Sequence, residues 1–145
     1  MSSPKGKVVD STEYVYRRIH TKHFDKRLAM PVFDIAFRPT DSDEDGISLV
    51  RVSSTSSPTD ALVDVDPEKI GNYHVAKLPV SLFHELGLTV MSSETEKSPG
   101  HAHSPELNAA AYNSKSTKRI LKDKMIELAK VAGQNIVYSP PEESS

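Results

Sequence analysis

The sequence predicts an α+β domain, with a small mixed or antiparallel sheet, short helices and one long C-terminal helix. Three observations carry that prediction. Leu121, Met125, Leu128 and Ala132 recur at helical spacing, short runs of β-branched and aromatic residues precede them, and turn-forming residues separate those runs. At 145 residues the chain is one domain's worth, enough to bury about two-thirds of the surface that its unfolded form exposes.

Residues 1–10 are polar and rich in Ser, Lys and Gly, and read as a disordered lead. The domain is expected over residues 11–138, with a disordered acidic tail at 139–145. Tyr14, Val15, Tyr16 and Ile19 predict a strand over 14–19. Val32, Ile35 and Phe37 predict a second over 31–37, and the run from Ile47 to Val52 a third whose two faces are equally apolar. Between these, Asp41 to Gly46 is acidic and turn-forming. It lacks the glutamate that a calcium loop starting at Asp41 requires, since Val52 stands at that position.

Ser57, Pro58 and Asp60, then Asp66 and Pro67, each mark a helix start, so two helical turns are expected between Pro58 and Ile70. A strand over 73–78 follows, then a short helix over 79–86 closed by Gly87, then a strand over 88–91 and a polar linker ending at Pro99 and Gly100. The long helix is expected over 116–132, with Ile120 and Ala129 widening its apolar face and Gly133 ending it. A last strand is expected over 134–138.

Composition excludes several classes of function. There is no cysteine, which removes disulfides, thiolate metal sites and thiol nucleophiles. No window is apolar enough for a membrane span, and the N-terminus has no pattern of a signal peptide or anchor. A soluble cytoplasmic protein is the expectation. The net charge of -2 hides two basic ends, +4 over residues 1–28 and +2 from residue 114 onward, flanking a middle of -8. That asymmetry fits a mixed surface as well as an anionic partner.

Four of the six histidines fall in two close pairs. His20 and His23 sit beside Arg17, Arg18 and Lys22, and guanidinium forks with imidazoles suit phosphate or carboxylate. On an extended strand Arg17 and Arg18 point to opposite faces, so at most one of them joins His20 directly. His101 and His103, at i and i+2, project from one face if extended. A metal would need a third ligand from a distant segment, and no metal and no cofactor is expected. His74 and His84 lie within apolar elements and read as structural. Lys115, Lys118, Arg119, Lys122 and Lys124 crowd the start of the long helix, where Lys118 and Lys122 make a candidate anion-binding face or an ordinary solvated one. Only Tyr112 is near that stripe, so nucleic acid is a lesser alternative as partner.

The segments "YRRIHTKHF", "GISLVRV" and "GHAHSPEL" together resemble a family of small uncharacterised bacterial proteins with a basic opening strand and a late "HAH" motif. The likeness spans residues 14–107, and Arg17, Arg18, His20, His101 and Ala102 match its pattern. The resemblance implies no particular activity.

The function expected from these features is that of a non-enzymatic binding or regulatory protein acting through a protein partner or an anionic ligand. The alternative is an enzyme acting on a phosphate-bearing substrate such as a nucleotide or RNA. In that version His20 or His103 is the general base and Arg17 or Arg18 stabilises developing charge. Such an enzyme requires the segments around His20 and His101 in one concave pocket, whereas a protein-binding surface requires a contiguous exposed apolar patch.

Overall fold

The computed structural model describes residues 7–41, 43, 45–63, 65–95 and 100–141. Among them, β1 (Tyr14–His20), β2 (Ile47–Arg51), β3 (Tyr73–Pro79), β4 (Met91–Ser92), β5 (His101–Ser104) and β6 (Ile136–Tyr138) form one antiparallel sheet in the order β4-β5-β2-β1-β3-β6. Its helices are α1 (Val80–Glu85), α2 (Ala109–Tyr112) and the long α3 (Lys115–Gln134), joined by short 3-10 turns. The α+β class expected from the sequence is therefore the observed one. No helix among the described residues is long and apolar enough to cross a membrane.

Strand alternation sorts side chains to two buried faces. Val15 and Ile19 of β1, Ile47 and Leu49 of β2, Ala76 and Leu78 of β3 and Ala102 of β5 share a main core with Leu121, Met125, Leu128, Ala129 and Ala132 of α3. On the other face, Tyr16 and Val75 pack beneath Ala61 and Leu62, with Val50, Val52 and Ile70 around them. The 3-10 turns Pro58–Leu62 and Pro67–Asn72 cover that side. Coverage on both faces is why β2 shows no apolar preference between its two sides.

Several expectations are corrected. Residues 31–37 are not a strand: only Val32 makes a bridge, to Phe24, and Asp34–Phe37 is a 3-10 turn that buries the adjacent Ala36 and Phe37. Adjacent burial needs a helical bend, because a strand would send consecutive side chains to opposite faces. Ile120 is 56 % exposed and lies off the apolar face of α3. The helix also runs through Gly133 to Gln134, and a Cβ at Gly133 would come within 2.9 Å of Pro31 Cδ, so glycine there admits a close approach. The strand expected over 88–91 is instead Met91–Ser92, and β5 and α2 form beyond the linker's end at Gly100, where no element was expected.

Part of the expected lead, residues 7–10, is tied into the fold. Val9 is buried, its N–H donates to the Val90 carbonyl at 2.8 Å, and Ser92 N–H donates to the Lys7 carbonyl at 2.8 Å. At the other end, Ser139 Oγ lies 2.9 Å from His74 Nδ1. The remaining positions of both segments, 1–6 and 142–145, lie outside the described residues.

His74 gives a pH prediction. It sits on the main-core face of β3, its ring centroid 4.0 Å from that of Phe24, and burial lowers its pKa below 6.5. The unfolded chain therefore binds this proton more readily, so stability falls as pH drops below 6.5 and levels off below the folded value. Urea midpoints measured across that window should decline less in His74→Phe than in the parent, the difference being the proton linkage of this one ring.

Candidate anion-binding site

The site is built where the sheet splits. β1 pairs with β3 along its full length, from Tyr14↔Pro79 to His20↔Tyr73, but its register with β2 holds only at Val15↔Arg51 and Tyr16↔Val50. Beyond Tyr16 the Arg17 guanidinium fills the gap. Its Nη1 donates to the Ser48 carbonyl at 3.0 Å, and its Nε and Nη2 donate to the Ala36 carbonyl at 3.2 and 2.8 Å. The Ser48 acceptor left by the split and the Ala36 carbonyl of the turn Asp34–Phe37 are thereby satisfied. The Arg17 Cζ also lies 5.8 Å from the Phe37 ring centroid. Burial pushes the Arg17 pKa down to about 10, against the opposing charge of Asp43, and it remains protonated at neutral pH.

The opening beside this wedge is a cleft of about 370 Å³ lined by Arg17, Arg18, His20, His23, Arg38, Thr40 and Tyr73 together with Ile35 and Ala36. Among the described residues, no carboxylate lines it. Arg18 leaves the opposite face of β1 from Arg17 and sits 5.9 Å over the Tyr73 ring, which also meets the His20 ring edge-on at 5.3 Å. His20 Nδ1 accepts the Lys22 N–H at 3.0 Å, so neutral His20 carries its proton on Nε2 and has a donor to offer. His23 follows in the 3-10 turn Thr21–His23, its ring centroid 6.0 Å from that of His20. Its pKa is lowered by burial first, then by the positive surroundings of His20, Arg38, Arg17 and Lys22. Neither Arg18 nor Arg38 has an ion-pair partner among the described residues.

The second histidine pair lies elsewhere. His101 and His103 of β5 stand opposite Val50 and Ser48 of β2, on the face away from α3. They line a separate depression of about 220 Å³ with Asp43, Asp45, Gly46, Ser48 and Ser93. His101 Nδ1 is 2.6 Å from Ser93 Oγ. Strand β2 intervenes between the two pairs, so His20 and Arg18 share a cleft from which His103 is absent. No group of three His, Cys, Asp or Glu among the described residues is placed to hold a metal. Lys118 and Lys122 are exposed on α3, Lys118 with its Nζ 5.0 Å over the Tyr112 ring, and neither reaches the cleft.

Arg38, Thr40 and Tyr73 were not legible as site residues. A single arginine after an apolar run carries no spacing signal, and Tyr73 reads as an ordinary strand residue. The crossing of the 34–40 segment over the end of β1 brings in Arg38 and Thr40, and the β1–β3 pairing that sets Tyr73 opposite His20 brings in Tyr73.

Comparison of the chain with protein-family models, with curated proteins and with solved structures finds no match.

Proposed function

We propose that this protein is a non-enzymatic binding protein whose cleft at the end of β1 takes a small oxyanion or the anionic group of a larger ligand. The observation that carries this reading is a cleft lined by three arginines and two histidines with no lining carboxylate among the described residues. Arg18 and Arg38 are the guanidiniums left to receive the ligand, because Arg17 already donates to two carbonyls. Among the described residues the exposed large apolar side chains are Val8, Tyr14, Leu28, Met30, Val63, Ile120 and Val137, and none of them lines this cleft. A cysteine-free chain suits a reducing compartment such as the cytoplasm.

Calorimetric titration at low salt with sulfate, inorganic phosphate and a nucleoside monophosphate tests this reading. Arg18→Ala and Arg38→Ala should each weaken binding about tenfold, the loss expected for one charge-assisted hydrogen bond. Absence of heat, together with unmoved amide signals over residues 17–23, would overturn it.

Acid should strengthen the same binding. A bound anion favours protonated imidazole, whereas the empty cleft disfavours it at His23. Affinity for sulfate, whose own charge stays constant, should therefore rise between about pH 7.5 and about pH 5.5. The double variant His20→Gln, His23→Gln should flatten that profile while retaining the arginine-dependent binding.

A further inference from the structure

The cleft at the end of β1 offers more donors, on more elements, than a planar anion can use. Arg18 stands on β1, His20 ends that strand, His23 lies in the 3-10 turn Thr21–His23, and Arg38 follows the turn Asp34–Phe37. Neither Arg18 nor Arg38 has an ion-pair partner among the described residues, and neutral His20 keeps Nε2 as a donor because its Nδ1 accepts from Lys22. A carboxylate presents two oxygens in one plane, which a single guanidinium fork satisfies. A phosphate monoester presents three acceptor oxygens in a tetrahedral spread and carries about 1.5 to 2 negative charges at pH 7. Two guanidiniums on separate elements match the phosphate in shape and charge and exceed what the carboxylate needs.

The same cleft has room for more than the phosphate. Its volume of about 370 Å³ lies within the range of small-molecule sites and well above the size of a lone oxyanion. Much of the lining beyond the guanidiniums is ring or apolar surface. Tyr73, His20 and His23 form a row of neighbouring rings, with Tyr73 and His20 edge-on at 5.3 Å and His20 and His23 at 6.0 Å, and Ile35 lines the cleft with them. Arg18, His20, His23, Ile35 and Tyr73 are half-buried and Arg38 is exposed, so all six are open to a ligand. The Arg18 Cζ lies 5.9 Å over the Tyr73 ring. A ligand whose phosphate reaches Arg18 therefore brings its organic part beside Tyr73. Guanidinium and ring surfaces both favour a flat aromatic group there, through stacking and edge-to-face contact.

Given the anion-binding reading, on which this step rests, we infer that the ligand of the cleft is a phosphate monoester that also carries an aromatic ring. The phosphate is anchored by Arg18 and Arg38, and the ring is oriented against Tyr73 and His20. A gain of about tenfold over a ring-free ester corresponds to about 55 Å² of ring surface removed from water. That is a fraction of the about 150 to 250 Å² that an aromatic side chain buries when enclosed, so an open cleft suffices.

The test is a calorimetric titration of the full chain at about pH 7.5, where monoesters are largely dianionic, with glycerol phosphate, phenyl phosphate, uridine monophosphate and benzoate. At least one ring-bearing ester should bind about tenfold tighter than glycerol phosphate, with benzoate weaker than either ring-bearing ester. Tighter binding of phenyl phosphate than of uridine monophosphate would put the phosphate directly on the ring, and the reverse order would identify a nucleotide. Tyr73→Leu should erase the tenfold gain while glycerol phosphate affinity stays within about threefold, the control that Arg18 and the cleft persist. Tyr73→Phe keeps the ring and should keep the gain. Glycerol phosphate binding as tightly as both ring-bearing esters overturns the aromatic ring, a gain unchanged in Tyr73→Leu overturns its placement, and benzoate matching phenyl phosphate overturns the phosphate. Anion binding itself survives each of those results and falls only if none of the four ligands binds.

Discussion

Replacing Gly46 with alanine is expected to cost about 4 kcal/mol or more, a large share of the about 5 to 15 kcal/mol that holds a domain folded. Gly46 has φ of 114°, and a Cβ there would lie 2.0 Å from the Ser104 carbonyl oxygen, 2.5 Å from its carbon and 2.8 Å from Pro105 Cα. Backbone strain at such a φ accounts for about 1 to 3 kcal/mol. The overlap accounts for the rest, because both obstructing groups are backbone and neither can rotate away. Relief would require parting β2 from β5, whose register pairs Ile47 with Ser104 directly beside this residue. A urea titration followed by circular dichroism measures the cost. A loss below about 1 kcal/mol, the size of an ordinary surface substitution or little more, would mean that β2 and β5 do not approach as closely as described.

Arg17→Met is the second large effect, at about 3 kcal/mol. The substitution keeps an unbranched apolar stem but removes three hydrogen bonds to the Ala36 and Ser48 carbonyls, leaving both acceptors without that donor where the sheet splits. Arg17→Lys should recover only part of the loss, because an ammonium cannot reproduce the planar fork that spans two acceptors. Anion binding separates this role from that of its neighbour. Arg17→Met, measured below its melting temperature, should retain sulfate affinity within about threefold, whereas Arg18→Ala should lose about tenfold. Equal losses in the two would place Arg17 on the ligand and not on the backbone.

The contrast between these adjacent arginines shows how far the residues alone could lead. Strand alternation places Arg17 and Arg18 on opposite faces of β1, and that much follows from the extended backbone. Which of the two stays open follows from Ala36 and Ser48, whose carbonyls reach Arg17 from 19 and 31 residues away. The histidine pairs follow the same pattern. His101 and His103 do share a face, as their spacing requires, yet β2 separates them from His20 and His23. β5 itself escaped notice because its pattern of histidine, alanine, histidine and serine has none of the branched or aromatic residues that mark strands. Ala102 is buried there within the main core, and Ser104 is buried on the same face.

The sequence by itself determined the α+β class, the core face of α3 through the spacing of Leu121, Met125, Leu128 and Ala132, and the concentration of positive charge around residues 17–23. These are local properties, set by periodicity and side-chain chemistry within a few turns of chain. The tertiary structure decided that Arg38, Thr40 and Tyr73 join that charge and that Arg17 leaves it to hold a split sheet. Those outcomes depend on strand order and on where a 3-10 turn crosses the sheet. Long-range packing fixes both, and no short segment encodes either.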